Sequence, residues 1–145
     1  MQGVVSPDSK WIAYTSDESG GSNEVYVTSF PIRGPRWRIS SAGGSLARWS
    51  RDGKELFYRA LEGTLMVAQV RTVSHGLQFG PPAALFRVSE PSGMFAYPYD
   101  VSLDGRSVLA LLPSKVAGET PSLNALVNWD AKSHPHFIKA CTAMT

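Results

Sequence analysis

Ser50-Arg51-Asp52-Gly53-Lys54-Glu55-Leu56-Phe57-Tyr58 is the stretch on which the reading of this chain turns, because the chain repeats it. Ser6-Pro7-Asp8-Ser9-Lys10-Trp11-Ile12-Ala13-Tyr14 precedes it, and Ser102-Leu103-Asp104-Gly105-Arg106-Ser107-Val108-Leu109-Ala110 follows. Each copy reads Ser-x-Asp-Gly/Ser-Lys/Arg-x and then an apolar run. Asp at the entry of a tight turn accepts a hydrogen bond from the backbone two residues on, and Gly takes a positive φ without a Cβ clash. Asp-Gly between apolar runs is a hairpin signal. Asp8, Asp52, Gly53, Asp104 and Gly105 are therefore read as turn residues rather than metal ligands or catalytic acids. Ser9 stands where the second and third copies have Gly, so the first turn is expected to be strained or of another type.

Working outward, the anchor serines lie 44 and 52 residues apart. Those gaps bracket the roughly 40–50-residue period of a four-stranded propeller blade. The first blade reads as strands 3–6, 11–16, 23–30 and 36–40, the second as 47–50, 55–60, 64–71 and 84–88. The third has 99–102, 107–112 and 125–129. Val25 and Val27 alternate with Tyr26 and Thr28, apolar or bulky on both faces, the pattern of a strand buried on two sides. Gly20-Gly21, Gly43-Gly44, Glu62-Gly63 and Pro81-Pro82 punctuate between strands. The expected class is all-β, a partial propeller of about three antiparallel blades at roughly 1–42, 43–90 and 91–129. Residues 130–145 form a tail in which His136–Ala140 reads as a short outer strand for the third blade.

The same residues, with Ala47-Arg48-Trp49-Ser50 and Tyr99-Asp100-Val101-Ser102, resemble the WD40-like PD40 repeats. Such repeats occur in TolB-like β-propellers and in the C-terminal sensor propellers of bacterial serine/threonine kinases. The closing Ala125-Leu126-Val127-Asn128-Trp129 is similar to the way the kinase-attached propellers end. The resemblance spans residues 4–129 and implies a fragment of a larger sensor or scaffold. Fold alone does not set function. Glycine-rich loop, His-Arg-Asp and Asp-Phe-Gly signatures of a kinase are absent from the sequence. A closed propeller has roughly 4–8 blades, more than this chain holds. An open array leaves apolar flanks, a liability that association relieves. Two copies are expected to close a six-bladed ring by two-fold symmetry.

Composition narrows the partners. The chain has 145 residues, 43% hydrophobic and 18% charged, enough apolar material for a core. Fourteen Lys plus Arg against twelve Asp plus Glu, scattered singly along the sequence, give no basic stripe, so no nucleic-acid partner is expected. No apolar run reaches the length of a membrane span. The first residues lack the charged and apolar regions of a secretory leader, which points to the cytoplasm for the chain as it stands. A periplasmic or membrane-attached parent stays open. The single Cys141 allows no internal disulfide.

Chemistry is sparse. No Gly-x-Ser-x-Gly elbow occurs; Ser45 follows Gly43-Gly44 but precedes a strand. His75, His134 and His136 read as loop and tail residues. His134, His136 and Cys141 carry metal-type donors, yet Pro135 and the lack of a fourth ligand argue against a closed site. No catalytic residue, metal or cofactor is assigned. Trp11, Trp49 and Trp129 read as core, with Trp37, between Arg36 and Arg38, partly exposed.

In an antiparallel blade the second-to-third and blade-to-blade connections share one end, opposite the Asp turns. Ligands of propellers gather there. That end carries Asp17, Glu18, Arg48, Glu62, Tyr97 and Asp100, with Arg48 at the start of an inner strand as the leading contact. The function expected is a non-catalytic module that binds a protein or peptide. The alternative is a small esterase- or peptidase-like hydrolase with its site at the centre of the oligomer.

Overall fold

The computed structural model describes residues 3–89, 97–103 and 107–112, and the backbone of strands at 122–126 and 137–138. Every element is a strand, and the described residues hold no helix. The chain divides into two compact units, residues 1–86 and 87–145.

The first unit contains two antiparallel sheets. Strands β1 (Gly3–Val5), β2 (Trp11–Ser16), β3 (Glu24–Ser29) and β4 (Arg36–Arg38) form the first, in chain order. The second orders β5 (Gly44–Trp49), β6 (Glu55–Ala60), β7 (Thr64–Val73) and β8 (Gly76–Phe79), with β9 (Ala83–Arg87) also paired to β7. In the second unit β10 (Tyr99–Val101), β11 (Val108–Leu112), β12 (Ser122–Leu126) and β13 (Phe137–Ile138) make a third four-stranded meander.

One turn recurs in the first two sheets. Ser6 and Ser50 each donate from the main chain to the residue five places on, Trp11 at 2.8 Å and Glu55 at 2.9 Å. Their hydroxyls accept from the N–H of those same residues, at 3.0 and 2.9 Å. The hydroxyls also donate to Asp8 and Asp52, at 2.6 and 2.8 Å. Each carboxylate then accepts from the N–H two places on, Lys10 at 3.2 Å and Lys54 at 3.0 Å. Serine thus ties strand to strand while Asp shapes the turn between them. Ser102 and Ser107 repeat the serine part of this pattern, with both bonds at 2.9 Å. Asp104 and Gly105 lie outside the described residues.

Ser9 adopts φ 59° where Gly53 adopts 70°, so serine occupies a left-handed conformation that glycine takes at no steric cost. Ser9→Gly is expected to stabilise the first unit by up to about 1 kcal/mol, the relief of left-handed strain less the added chain entropy. Gly53→Ala should cost about 1 kcal/mol by the reverse argument. Urea midpoints at constant m-value measure both.

Val27, Val25 and Ala13 from the first sheet meet Trp49, Leu56, Tyr58, Ala68 and Val70 from the second in one core cluster. Strand β5 packs across β1, β2 and β3, and Trp49 Nε1 donates to the Val4 carbonyl at 3.1 Å. Central strands are buried on both faces: Glu24–Thr28 in β3 and Leu56–Ala60 in β6.

Three departures from the sequence reading have local causes. Strand β5 begins at Gly44, three residues earlier than expected, because only Gly43 (φ 88°) makes the turn. A bulge between Ser45 and Arg48, with Leu46 at φ 55°, absorbs the extra length. Second, β7 runs on to Val73, two residues past the expected end, and folds back as β8, a strand not expected between 71 and 84. Gly76 in it lies against Trp37, whose ring packs edge-on to Trp11 (5.6 Å) and tilted to Phe79 (6.1 Å). Third, β12 starts three residues before the expected strand, and 127–129 lie outside the described residues. Strand β13 pairs with β12 through Leu126 and Phe137.

Candidate binding face

Two ends of the first unit differ chemically. At one end stand the Asp turns, with Pro7 of the first beside Gly53 of the second. At the other end gather the loop 17–23, the link 39–43 between sheets, and the turn 61–63. Gly44 donates to the Asn23 carbonyl at 2.7 Å, and the Leu61 side chain lies directly over Gly43.

Glu24 organises this end. It opens β3 and is only 3% exposed, yet it is ionised and fully engaged. Arg38 Nη2 donates to Oε1 at 2.7 Å, and the Gly43 N–H donates to Oε2 at 3.2 Å. The Ser40 hydroxyl makes a short bond to Oε2 while accepting from the Val25 N–H at 2.8 Å. Arg38 Nε also caps the Ser40 carbonyl at 2.9 Å. Burial pushes the carboxyl upward, but the bonds from Ser40, Arg38 and Gly43 outweigh it and hold the pKa below the ordinary value. This knot fixes the link between the first two sheets. Sequence reasoning passed over it, since nothing local marks Glu24 as buried and its partners lie 14 to 19 residues away.

Of the residues expected at this face, Asp17 and Glu18 are exposed in the loop after β2. The Asp17 carbonyl accepts from Gly20 at 2.8 Å. Glu18 receives Arg36 at 2.7 Å and the Tyr14 hydroxyl at 3.3 Å. Tyr14 stacks on Tyr26 at 5.6 Å, and burial followed by the Glu18 charge raises its pKa. Glu62 is exposed in the turn after β6 and, with Glu24, acts on Tyr58; burial first and these two charges second push that phenol up to about 12. Asp17, Glu18 and Glu62 therefore stand at one end, on adjoining connections. Arg48 is half-buried and fifth in β5, opposite Phe57, rather than at a strand start. Tyr97 and Asp100 belong to the second unit: Tyr97 meets Tyr99 edge-on at 6.4 Å, and exposed Asp100 pairs in register with Leu109.

Asp8 and Asp52 are engaged in turns. The Ser6 hydroxyl is the main cause that lowers the Asp8 pKa; for Asp52, burial raises it but bonds from Lys54 and Ser50 prevail. Glu55 moves the other way, raised chiefly by burial and further by Asp52. Among the described residues no group of three His, Cys, Asp or Glu side chains is arranged to hold a metal. His134, His136 and Cys141 lie outside them. Ser45 pairs with Arg59 near the Glu24 end, whereas His75 sits in the turn after β7, at the Asp-turn end. These two are not a nucleophile and its base. No helix among the described residues is long and apolar enough to cross a membrane.

No protein-family model matches the chain, and a search of curated proteins finds no match.

Proposed function

We propose that this chain is a non-catalytic binding module of the PD40 type, a propeller fragment that engages a protein or peptide through the end bearing Asp17, Glu18 and Glu62. The observation that carries the reading is the placement of those three carboxylates on adjoining connections of two packed sheets. Exposed Leu61 precedes Glu62 in the turn after β6 and lies over Gly43. Exposed Asp17 and Glu62, with an exposed apolar side chain beside Glu62, fit a segment carrying Lys or Arg beside apolar residues. Beneath them the Glu24 knot holds the connections in place, so little ordering entropy is lost on binding. Support for the propeller reading comes from the serine–aspartate turn shared by the first two sheets, the two-sided burial of their central strands and the packing of those two sheets on each other. In this reading two chains complete one ring.

The test is a peptide selected by display against the chain, followed by titration of Asp17→Ala/Glu62→Ala. Both side chains are exposed, so thermal midpoints should hold. Loss of these two charges is expected to weaken binding about tenfold, a little over 1 kcal/mol, with the loss shrinking in high salt. Equal affinity for the double variant would falsify this choice of face.

A further inference from the structure

The Asp-turn end of the first unit is basic and apolar, where the other end bears Asp17, Glu18 and Glu62. Lys10 closes the first turn, Arg51 and Lys54 flank Asp52 and Gly53 in the second, and Arg33 stands in the connection between β3 and β4. All four are exposed and all lie within residues 1–86. Far apart in sequence, they meet because these three connections are contiguous. Pro7 lies beside Gly53, and the Phe30 N–H donates to the Lys10 carbonyl at 2.7 Å. Phe30 is 46% exposed and Ile32 64%, so the connection that supplies Arg33 also presents two large apolar side chains to water.

Main-chain donors at this end are already used. The Ser9 and Gly53 N–H groups donate to the Ser6 and Ser50 carbonyls, at 2.9 and 3.0 Å. Those of Lys10 and Lys54 donate to Asp8 and Asp52, and that of Arg33 to the Ser29 hydroxyl at 3.1 Å. The acids are engaged as well: Asp8 and Asp52 each take a serine hydroxyl, and half-buried Glu55 accepts from Gln69 Nε2 at 2.8 Å. With exposed Arg71 near the end of β7, five cations stand against these three acids. What the end offers a partner is charge on long side chains, together with apolar area. A peptide that adds by strand pairing, or one phosphate cradled by backbone N–H groups, needs free main-chain donors. A bilayer containing anionic lipid does not. Its headgroup charge attracts Lys and Arg, and its acyl boundary takes up apolar side chains.

We infer that the Asp-turn end docks on anionic membranes, with Phe30 and Ile32 entering the headgroup layer and Lys10, Arg33, Arg51 and Lys54 resting on the anionic headgroups. The attachment is peripheral. Charge also orients it, since a negative surface attracts this end and repels the end bearing Asp17 and Glu62, which is left open to its own partner.

Cosedimentation of the 145-residue chain with phosphatidylcholine vesicles, with and without roughly one-third phosphatidylserine, tests it. The chain should pellet with the anionic vesicles and stay in solution with the neutral ones. Arg33→Gln/Arg51→Gln is expected to lower partitioning about thirtyfold, near fivefold for each cation. Phe30→Ser/Ile32→Ser should lower it about tenfold at unchanged charge. All four positions are exposed, so circular dichroism and urea midpoints should match wild type and separate lost binding from misfolding. Lys10→Gln/Lys54→Gln gives a second charge variant on the neighbouring turns. Anisotropy with labelled polyglutamate is the competing arm. Wild type that stays in solution with anionic vesicles, pellets equally with both vesicles, or binds polyglutamate while leaving lipid alone overturns the assignment. So does a folded apolar variant that pellets like wild type, because adsorption is then charge alone. None of these outcomes touches peptide binding at Asp17 and Glu62, which is read by its own titration.

Discussion

Glu24→Ala is expected to lower the stability of the first unit by about 3 kcal/mol. The variant leaves the Ser40 hydroxyl and the Gly43 N–H buried with their acceptor gone, each worth about 1–3 kcal/mol, and removes the anion from Arg38. Arg38 itself is 44% exposed and can hydrate, so the cost stays at the lower end for a broken charge pair. Glu24→Gln keeps the volume and one acceptor and should cost about half as much. Urea unfolding at pH 7 separates the three proteins. Acid supplies a second readout. The folded pKa of Glu24 lies below its ordinary 4.5, so its contribution is complete above that value and is lost as pH falls through the folded value. Asp8 and Asp52, also lowered, act in the same direction. Wild-type stability should therefore fall below about pH 4.5, and the gap to Glu24→Gln should narrow there. A gap that widens in acid, or Glu24→Ala indistinguishable from wild type at pH 7, removes Glu24 from its role as organiser of the loop end.

Local chemistry was legible in the sequence because turns and alternation are short-range. The Ser-x-Asp-Gly spacing and the two-sided apolar pattern were enough to place β2 and β6 to the residue. What stayed hidden was non-local. Glu24 reads as surface by composition, and only the return of residues 38–43 alongside β3 buries it. The hairpin of β7 and β8 carries no Asn-Gly or Asp-Gly at its turn, Ser74-His75, and its four-residue strand gains its hold from Trp37 and Trp11 in the other sheet. Leu46 in a left-handed conformation has no sequence mark either; its bulge displaced the expected start of β5 and with it the position of Arg48. At the candidate face, the acidic residues could be assigned by connection order, since an antiparallel meander fixes which loops share an end. Their support could not. Turn chemistry explained the Asp residues, but the serine hydroxyl, which bonds across to the next strand in each repeat, carries as much of the motif and was left unexplained by turn type alone.

Trp49→Ala is expected to cost about 3–5 kcal/mol, the range for removing a buried large aromatic. The indole fills the contact between β5 and the first sheet, joining Ala13, Val25 and Val27 in one cluster, and donates to the Val4 carbonyl. Trp49→Phe isolates the second part: most of the apolar contact survives while that carbonyl loses its donor, for about 1–2 kcal/mol. The difference between the variants measures how far the two sheets depend on packing rather than on the single bond. Hydrogen exchange gives the loss a location. If Trp49 joins two repeats, Trp49→Ala should speed exchange in β1, β2 and β5 together, whereas Glu24→Ala should act first on β3 and the 39–43 link. Faster exchange confined to β5 would mean that the sheets are held by the β7–β8 hairpin on Trp37, and that the face-to-face contact is secondary.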